Sequence, residues 1–138
     1  MIIDADMRHE VSRKALSYYG LPYKYGGKDP WVAMDCSGFT QTVYAEYGRI
    51  RPIKEGCMSV SMQLTFYRRR GCEVTKPYEG CLVFYRRRVG KRWSWHVMYC
   101  VDEKYCVGAS GDMVCVHNIK YRPDIVAYVD PLKGVTWE

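Results

Sequence analysis

The sequence predicts an α+β domain, with N-terminal helices packed on a C-terminal antiparallel β-sheet of about five strands. Two patterns carry that prediction. The first half spaces its apolar residues at helical intervals between capping residues, and the second half breaks into short β-branched and aromatic runs separated by turns. A third observation sets the domain count. No repeat, low-complexity tract or Pro/Gly/Ser linker interrupts residues 1–138, so the whole chain reads as one domain, long enough to bury a core without staples.

The elements follow in order. Asp4 can cap a first helix running to about Tyr19, with Gly20 as a stop and Pro22 just beyond. A second helix opens at Asp35 or Cys36, carries Phe39, Val43 and Tyr47 on one face, and ends at Gly48. A third begins near Ser59 and ends at Gly71, with Arg68, Arg69 and Arg70 in its last turn, where positive charge complements the helix dipole. Strands are then expected over Cys81 to Tyr85, Trp95 to Val101, Tyr105 to Ala109, Met113 to Ile119 and Ile125 to Val129. Asp102-Glu-Lys and Ser110-Gly-Asp112 read as hairpin turns. If the latter is a simple hairpin, Ala109 faces Met113 and His117 pairs with Tyr105, on the face opposite Gly108.

Composition narrows the function classes. Hydrophobic residues make up 48% and charged residues 26%, as in an ordinary globular protein rather than a disordered one. No apolar run approaches the roughly 18 to 20 residues needed to span a membrane. The N-terminus lacks a positive segment followed by an apolar one, so a chain without a secretory signal, cytoplasmic as synthesised, is expected. Seven cysteines, an odd number, suit reduced thiols. Neither CxxC nor a zinc-spaced Cys/His cluster occurs, so no metal and no cofactor is expected. The net charge of +6 gathers in Arg68 to Arg70 and in Arg86 to Arg88 with Lys91 and Arg92. Such patches serve a solvated surface or an anionic partner. The second patch, flanked by Tyr85, Trp93 and Trp95, could bind an anionic polymer or simply be a charged turn. Nucleic acid is not expected, because no nucleic-acid fold motif accompanies it.

The strongest chemical signal is Asp35-Cys36-Ser37-Gly38 at a helix start, with a later histidine, His96, on a strand. A cysteine there meets the positive end of the helix dipole and unpaired amides, which favour thiolate and could steady an oxyanion. An imidazole from a strand would complete a thiolate–imidazolium pair. His96 alternates with Met98 and Cys100 on one strand face, with Val97, Tyr99 and Val101 on the other. A buried helix-start cysteine and an unrelated histidine satisfy the same pattern.

In order and approximate spacing, Tyr23-Lys-Tyr-Gly-Gly, Asp35-Cys-Ser-Gly-Phe, Glu79-Gly-Cys-Leu-Val-Phe-Tyr85 and His96-Val-Met-Tyr resemble the NlpC/P60 family of papain-like cysteine peptidases. The family motifs run YxxGG, DCSGF, pGDLvfF and HVGIY. Gln63 also sits where the family often has a glutamine before a helix. The resemblance implies a papain-like fold and a hydrolase of peptidoglycan stem peptides, cutting between D-γ-glutamyl and a diamino acid. Cys36 would be the nucleophile and His96 the general base and acid. Tyr23 would border the substrate and oxyanion region. Asp35 and Ser37 would hold the substrate's amino end, with an N-cap as a plainer role for Asp35.

Two positions depart from the family pattern. The polar residue that orients the imidazole is replaced by Gly108 in Gly108-Ala109-Ser110, and the acidic residue of the GDL triplet by Cys81. The expected partner is peptidoglycan or a muropeptide. The expected setting is a phage product, acting on the wall after lysis or from the virion. Two other functions fit the same chain: a CHAP-type amidase, which shares the Cys-then-His order, and a decayed peptidase that keeps only the binding cleft.

Overall fold

The computed structural model describes residues 4–24, 27–29 and 33–134. Three helices lie against one face of a six-stranded antiparallel sheet with strand order β3-β8-β4-β5-β6-β7. The elements of that core are α1 (Asp4–Leu16), α2 (Cys36–Ala45), α3 (Val60–Arg69), β3 (Glu73–Val74), β4 (Leu82–Val89), β5 (Arg92–Cys100), β6 (Tyr105–Ser110), β7 (Met113–Asn118) and β8 (Ile125–Val129). A miniature antiparallel pair, β1 (Lys28–Asp29) and β2 (Ala33–Met34), precedes α2.

Helix α1 buries Met7, Val11 and Ala15, a stripe at i, i+4 and i+8. Its regular part ends at Leu16 rather than Tyr19, and turns carry the chain to Gly20, whose φ of 87° suits a residue without a Cβ. Helix α2 starts where Asp35 accepts the Gly38 amide, a cap worth about 1 kcal/mol. It is buried almost all round, with Phe39, Thr40, Gln41, Val43 and Tyr44 fully enclosed, so it runs through the middle of the molecule. Helix α3 is capped by Ser59 and turns Val60, Gln63, Leu64 and Tyr67 inward, while Arg68 and Arg69 occupy its last turn.

The sheet has two apolar faces. Leu82, Phe84, Val97, Tyr99, Val107 and Ala109 meet Phe39, Val43 and Tyr44 of α2 on the helix side. Cys81, Val83, Tyr85, Met98, Cys100 and Cys106 form a second cluster on the far side, closed by Ile119. Cys81, Cys100 and Cys106 are therefore core residues, as expected of cysteines in apolar strand-like runs, whereas Cys115, in a run of the same kind, is only partly buried.

Other details differ from the sequence expectation: α2 ends at Ala45 rather than Gly48, and β4 and β5 run on to Val89 and Arg92. The sheet has six strands, not about five, because the two residues of β3 pair with β8 and are too few to show a period. The β1–β2 pair escapes pattern reading for the same reason. The β6–β7 turn consists of Gly111 and Asp112 alone, so Ser110 pairs with Met113, Ala109 with Val114 and His117 with Cys106. That one-residue change of register moves His117 to the face that carries Gly108.

Candidate active site

Cys36 opens α2 at the floor of a cleft of about 510 Å³. Tyr23 and Trp95 stand on one side, and the stretch Cys57 to Met62 forms the other. Cys36 is half-buried, which leaves its sulfur a route to a bound molecule. Asp35 and Ser37 lie beside it, both nearly buried. Asp35 Oδ1 accepts from the Gly38 amide at 2.7 Å and from the Ser37 hydroxyl at 3.1 Å. The N-cap expected for Asp35 is thus present. Tyr25 and Gly26 of the expected glycine loop lie outside the described residues.

Behind the cleft, two buried glutamines join the pieces. Gln63 donates to the carbonyls of Ser37 and Met58 and accepts from Thr40, so it ties the first turn of α2 to the start of α3. It lies within α3, not ahead of a helix as the family pattern suggested. Gln41 donates to the carbonyls of Arg51 and Gly56 and accepts from the Met58 amide, which holds the loop forming the far wall. Sequence reading missed Gln41. A polar residue on an otherwise apolar helix face was the available signal.

The expected Cys36–His96 pair is not formed. Along β5 the side chains alternate, and Val97 and Tyr99 belong to the core shared with α2. Trp95 shares their face and lines the cleft, whereas His96 points the other way, with Met98 and Cys100. The imidazole of His96 lies 5.8 Å from the Tyr85 ring, and its buried Nε2 has no hydrogen-bond partner. Burial pushes its pKa down to about 4, and the positive charge of Arg122 adds to the effect, so the ring is neutral at neutral pH. None of the three histidines lines the cleft. His9 is exposed and pairs with Glu79, and His117 stacks on Tyr121 with its Nε2 3.2 Å from Cys115 Sγ.

The motif spacing carried the missing signal. In HVGIY the tyrosine follows the histidine by four residues and shares its strand face. Here Tyr99 follows His96 by three and lies opposite. Tyr99 is the anchored member, buried against Tyr44 and bonded to Ser12. Counting back four residues from it reaches Trp95. A Cβ at Gly108 would meet Met98 Sδ at 2.7 Å, so a side chain there requires that methionine to shift.

Among the described residues no group of three metal-ligating side chains occurs, and no helix is long and apolar enough to cross a membrane.

Comparison with known proteins agrees with this architecture. The NlpC/P60 family model matches residues 20–130. A bifunctional muramidase/DL-endopeptidase, CwlT of Bacillus subtilis, is 40% identical over 47 residues, which is 34% of this chain and 14% of that protein. An NlpC/P60 family protein from Bacillus cereus superposes with a TM-score of 0.72 at 22% identity, over 91% of this chain and 40% of that one. A lipoprotein-like NLP/P60 protein from Staphylococcus aureus gives a TM-score of 0.71 at 21% identity, over 94% and 43%. The chain spans less than half the length of each of these proteins. With the helix-start cysteine, the helix-on-sheet layers and a family match over most of its length, the chain belongs to the NlpC/P60 family.

Proposed function

We propose that this chain is a cysteine endopeptidase that cleaves peptidoglycan stem peptides in the Cys36 cleft, at the D-γ-glutamyl–diamino acid bond. One observation carries the reading: Cys36 is the first residue of α2 and is half-exposed on the floor of a cleft of about 510 Å³. Family membership and the DL-endopeptidase activity named for CwlT support the substrate class.

In this reading the Cys36 thiol gives its proton to a water molecule as its sulfur bonds to the scissile carbonyl carbon, and the C–N bond then breaks to leave a thioester. That water returns the proton to the departing amine, and a second water hydrolyses the thioester, releasing the carboxylic acid and restoring the thiol. Tyr23, Asp35 and Ser37 contact the bound peptide. With His96 across the sheet, no imidazole moves these protons. Positioned acid–base catalysis is worth roughly 10²- to 10⁴-fold, so turnover is slow by that margin. Incubation with purified peptidoglycan tests the proposal. New amino termini that require Cys36 are expected, and their absence would sink it.

A second reading is a stem-peptide-binding domain without turnover, and Trp95 favours it by occupying the side of the cleft where an imidazole is needed. Binding of muropeptides with no cleavage after prolonged incubation would select it. An amidase is separable by mass spectrometry, because it frees the L-alanine end of the stem peptide.

A further inference from the structure

The β4–β5 hairpin projects past the sheet. Strand β8 pairs with β4 only as far as Tyr85–Ile125, whereas β4 and β5 go on pairing to Val89–Arg92. The last three pairs extend about 10 Å beyond the Arg86 amide, which still bonds to the Asp124 carbonyl. Arg86 faces Trp95 and Arg88 faces Trp93 across this ribbon. All four side chains therefore share the face that carries Val97 and Tyr99, the face of the Cys36 cleft.

They form an alternating stack. The Arg86 guanidinium lies 4.2 Å from the Trp93 ring centre and 5.3 Å from that of Trp95, and Arg88 lies 5.2 Å from Trp93. Trp95 is shared, since it lines both the cleft and the hollow of the arm. The segment from Arg86 to Trp95 contains five cationic residues and no acidic one. Arg87, on the other face, pairs with Asp124. Among the described residues Arg86, Arg88, Lys91 and Arg92 form no ion pair. Trp93 remains 49% exposed.

Stacking fixes a guanidinium in a plane while its N–H edge stays directed outward, the arrangement that grips a carboxylate with two parallel hydrogen bonds. We propose that this Trp95–Arg86–Trp93–Arg88 strip is a second binding surface, which holds the free carboxylates of a peptidoglycan stem peptide whose reacting end lies in the Cys36 cleft. A γ-linked glutamyl residue keeps its α-carboxylate, so the substrate offers the charge the strip lacks. Continuity through Trp95 favours this occupant over nucleic acid, for which the sheet provides no other contact. The inference rests on the proposed substrate class but not on turnover.

The test uses full-length Cys36→Ala protein, which binds without cleaving, and purified sacculi. Replacing Arg86 and Arg88 together by Gln should weaken binding at least 10-fold and flatten its salt dependence. The same charge change at Arg69 and Arg70, the last residue of α3 and its C-cap, should leave binding within 2-fold. Trp93→Ala should weaken it several-fold. Amidating the sacculus carboxylates should abolish the difference between arm and control variants, whereas hydrofluoric-acid removal of phosphate polymers should preserve it. Equal binding by both double variants overturns the proposal, as does binding that follows the phosphate polymers or a preference for single-stranded nucleic acid. If the double variant fails to fold, Arg88→Gln alone, on an exposed residue, is read the same way. Loss of sacculus cleavage in otherwise wild-type protein, with arm-dependent binding intact, would remove the endopeptidase reading and leave this one standing.

Discussion

On the helix side of the sheet a cysteine stands at the start of α2 with no imidazole at its side. On the far side stand two imidazoles, His96 and His117, and His117 Nε2 lies 3.2 Å from the sulfur of a different cysteine, Cys115. A single alternation along β5 produces this division, because adjacent residues of a strand face opposite ways. Trp95 and His96 differ by one position and by the whole thickness of the sheet. Catalytic residue types can thus all be present while strand parity decides which of them meet.

Cys36→Ala should abolish release of new amino termini from peptidoglycan, since the other thiol that lines the cleft, Cys57, does not stand at the helix start. Cys57, also in the cleft, is the residue to watch in that assay. Trp95→His should raise turnover about 10²-fold by putting an imidazole where the cleft has an indole. No gain from a folded Trp95→His variant would mean that the face assigned to Trp95 is wrong.

Gln63→Ala should lower stability by about 2–3 kcal/mol, because it leaves the buried carbonyls of Ser37 and Met58 without their donor. Chemical denaturation reads this, and turnover should fall with it as the α2 start loosens. Thr40→Val, which removes the donor to the Gln63 side-chain oxygen and the longer contacts to the Cys36 and Ser37 carbonyls, should cost about 1 kcal/mol.

On the far face, the depressed pKa of His96 makes stability depend on pH. The unfolded chain binds a proton near pH 6.5 and the folded chain only near pH 4, so the stability this difference provides is complete above 6.5 and is lost as pH falls through that window. The loss is at most about 3 kcal/mol. Arg122, His117 and Arg87 oppose protonation and Asp124 favours it. His96→Asn should flatten the curve between pH 6.5 and 4, and an unchanged slope would place His96 in a more open setting.

Much of the fold was legible in the sequence because its signals are local. Asp35 and Ser59 act through side chains that bond the amide three residues on, and Gly20, Gly48 and Gly71 through their own positive φ. The alternation in β4 to β8 reports two buried faces directly. The two-residue strands left no period to read. Cys36 and its cap were equally legible, since a helix start is a local feature. The partner of Cys36 was not, because a motif match by residue type hides a shift of one position. Tyr99, anchored by Ser12 and Tyr44, sets the parity of β5, and that anchoring belongs to tertiary packing. His117 failed in a similar way, through one residue of turn length.

Cys36 is proposed to react without help from His96, which lies across the sheet. The rate of Cys36 alkylation by iodoacetamide as a function of pH, in wild-type protein and in His96→Ala, read by mass spectrometry at that cysteine, decides this. The two profiles should superimpose from pH 5 to 9. A His96→Ala profile that loses reactivity at neutral pH, or moves its inflection toward higher pH, would show the imidazole at the sulfur and overturn that separation.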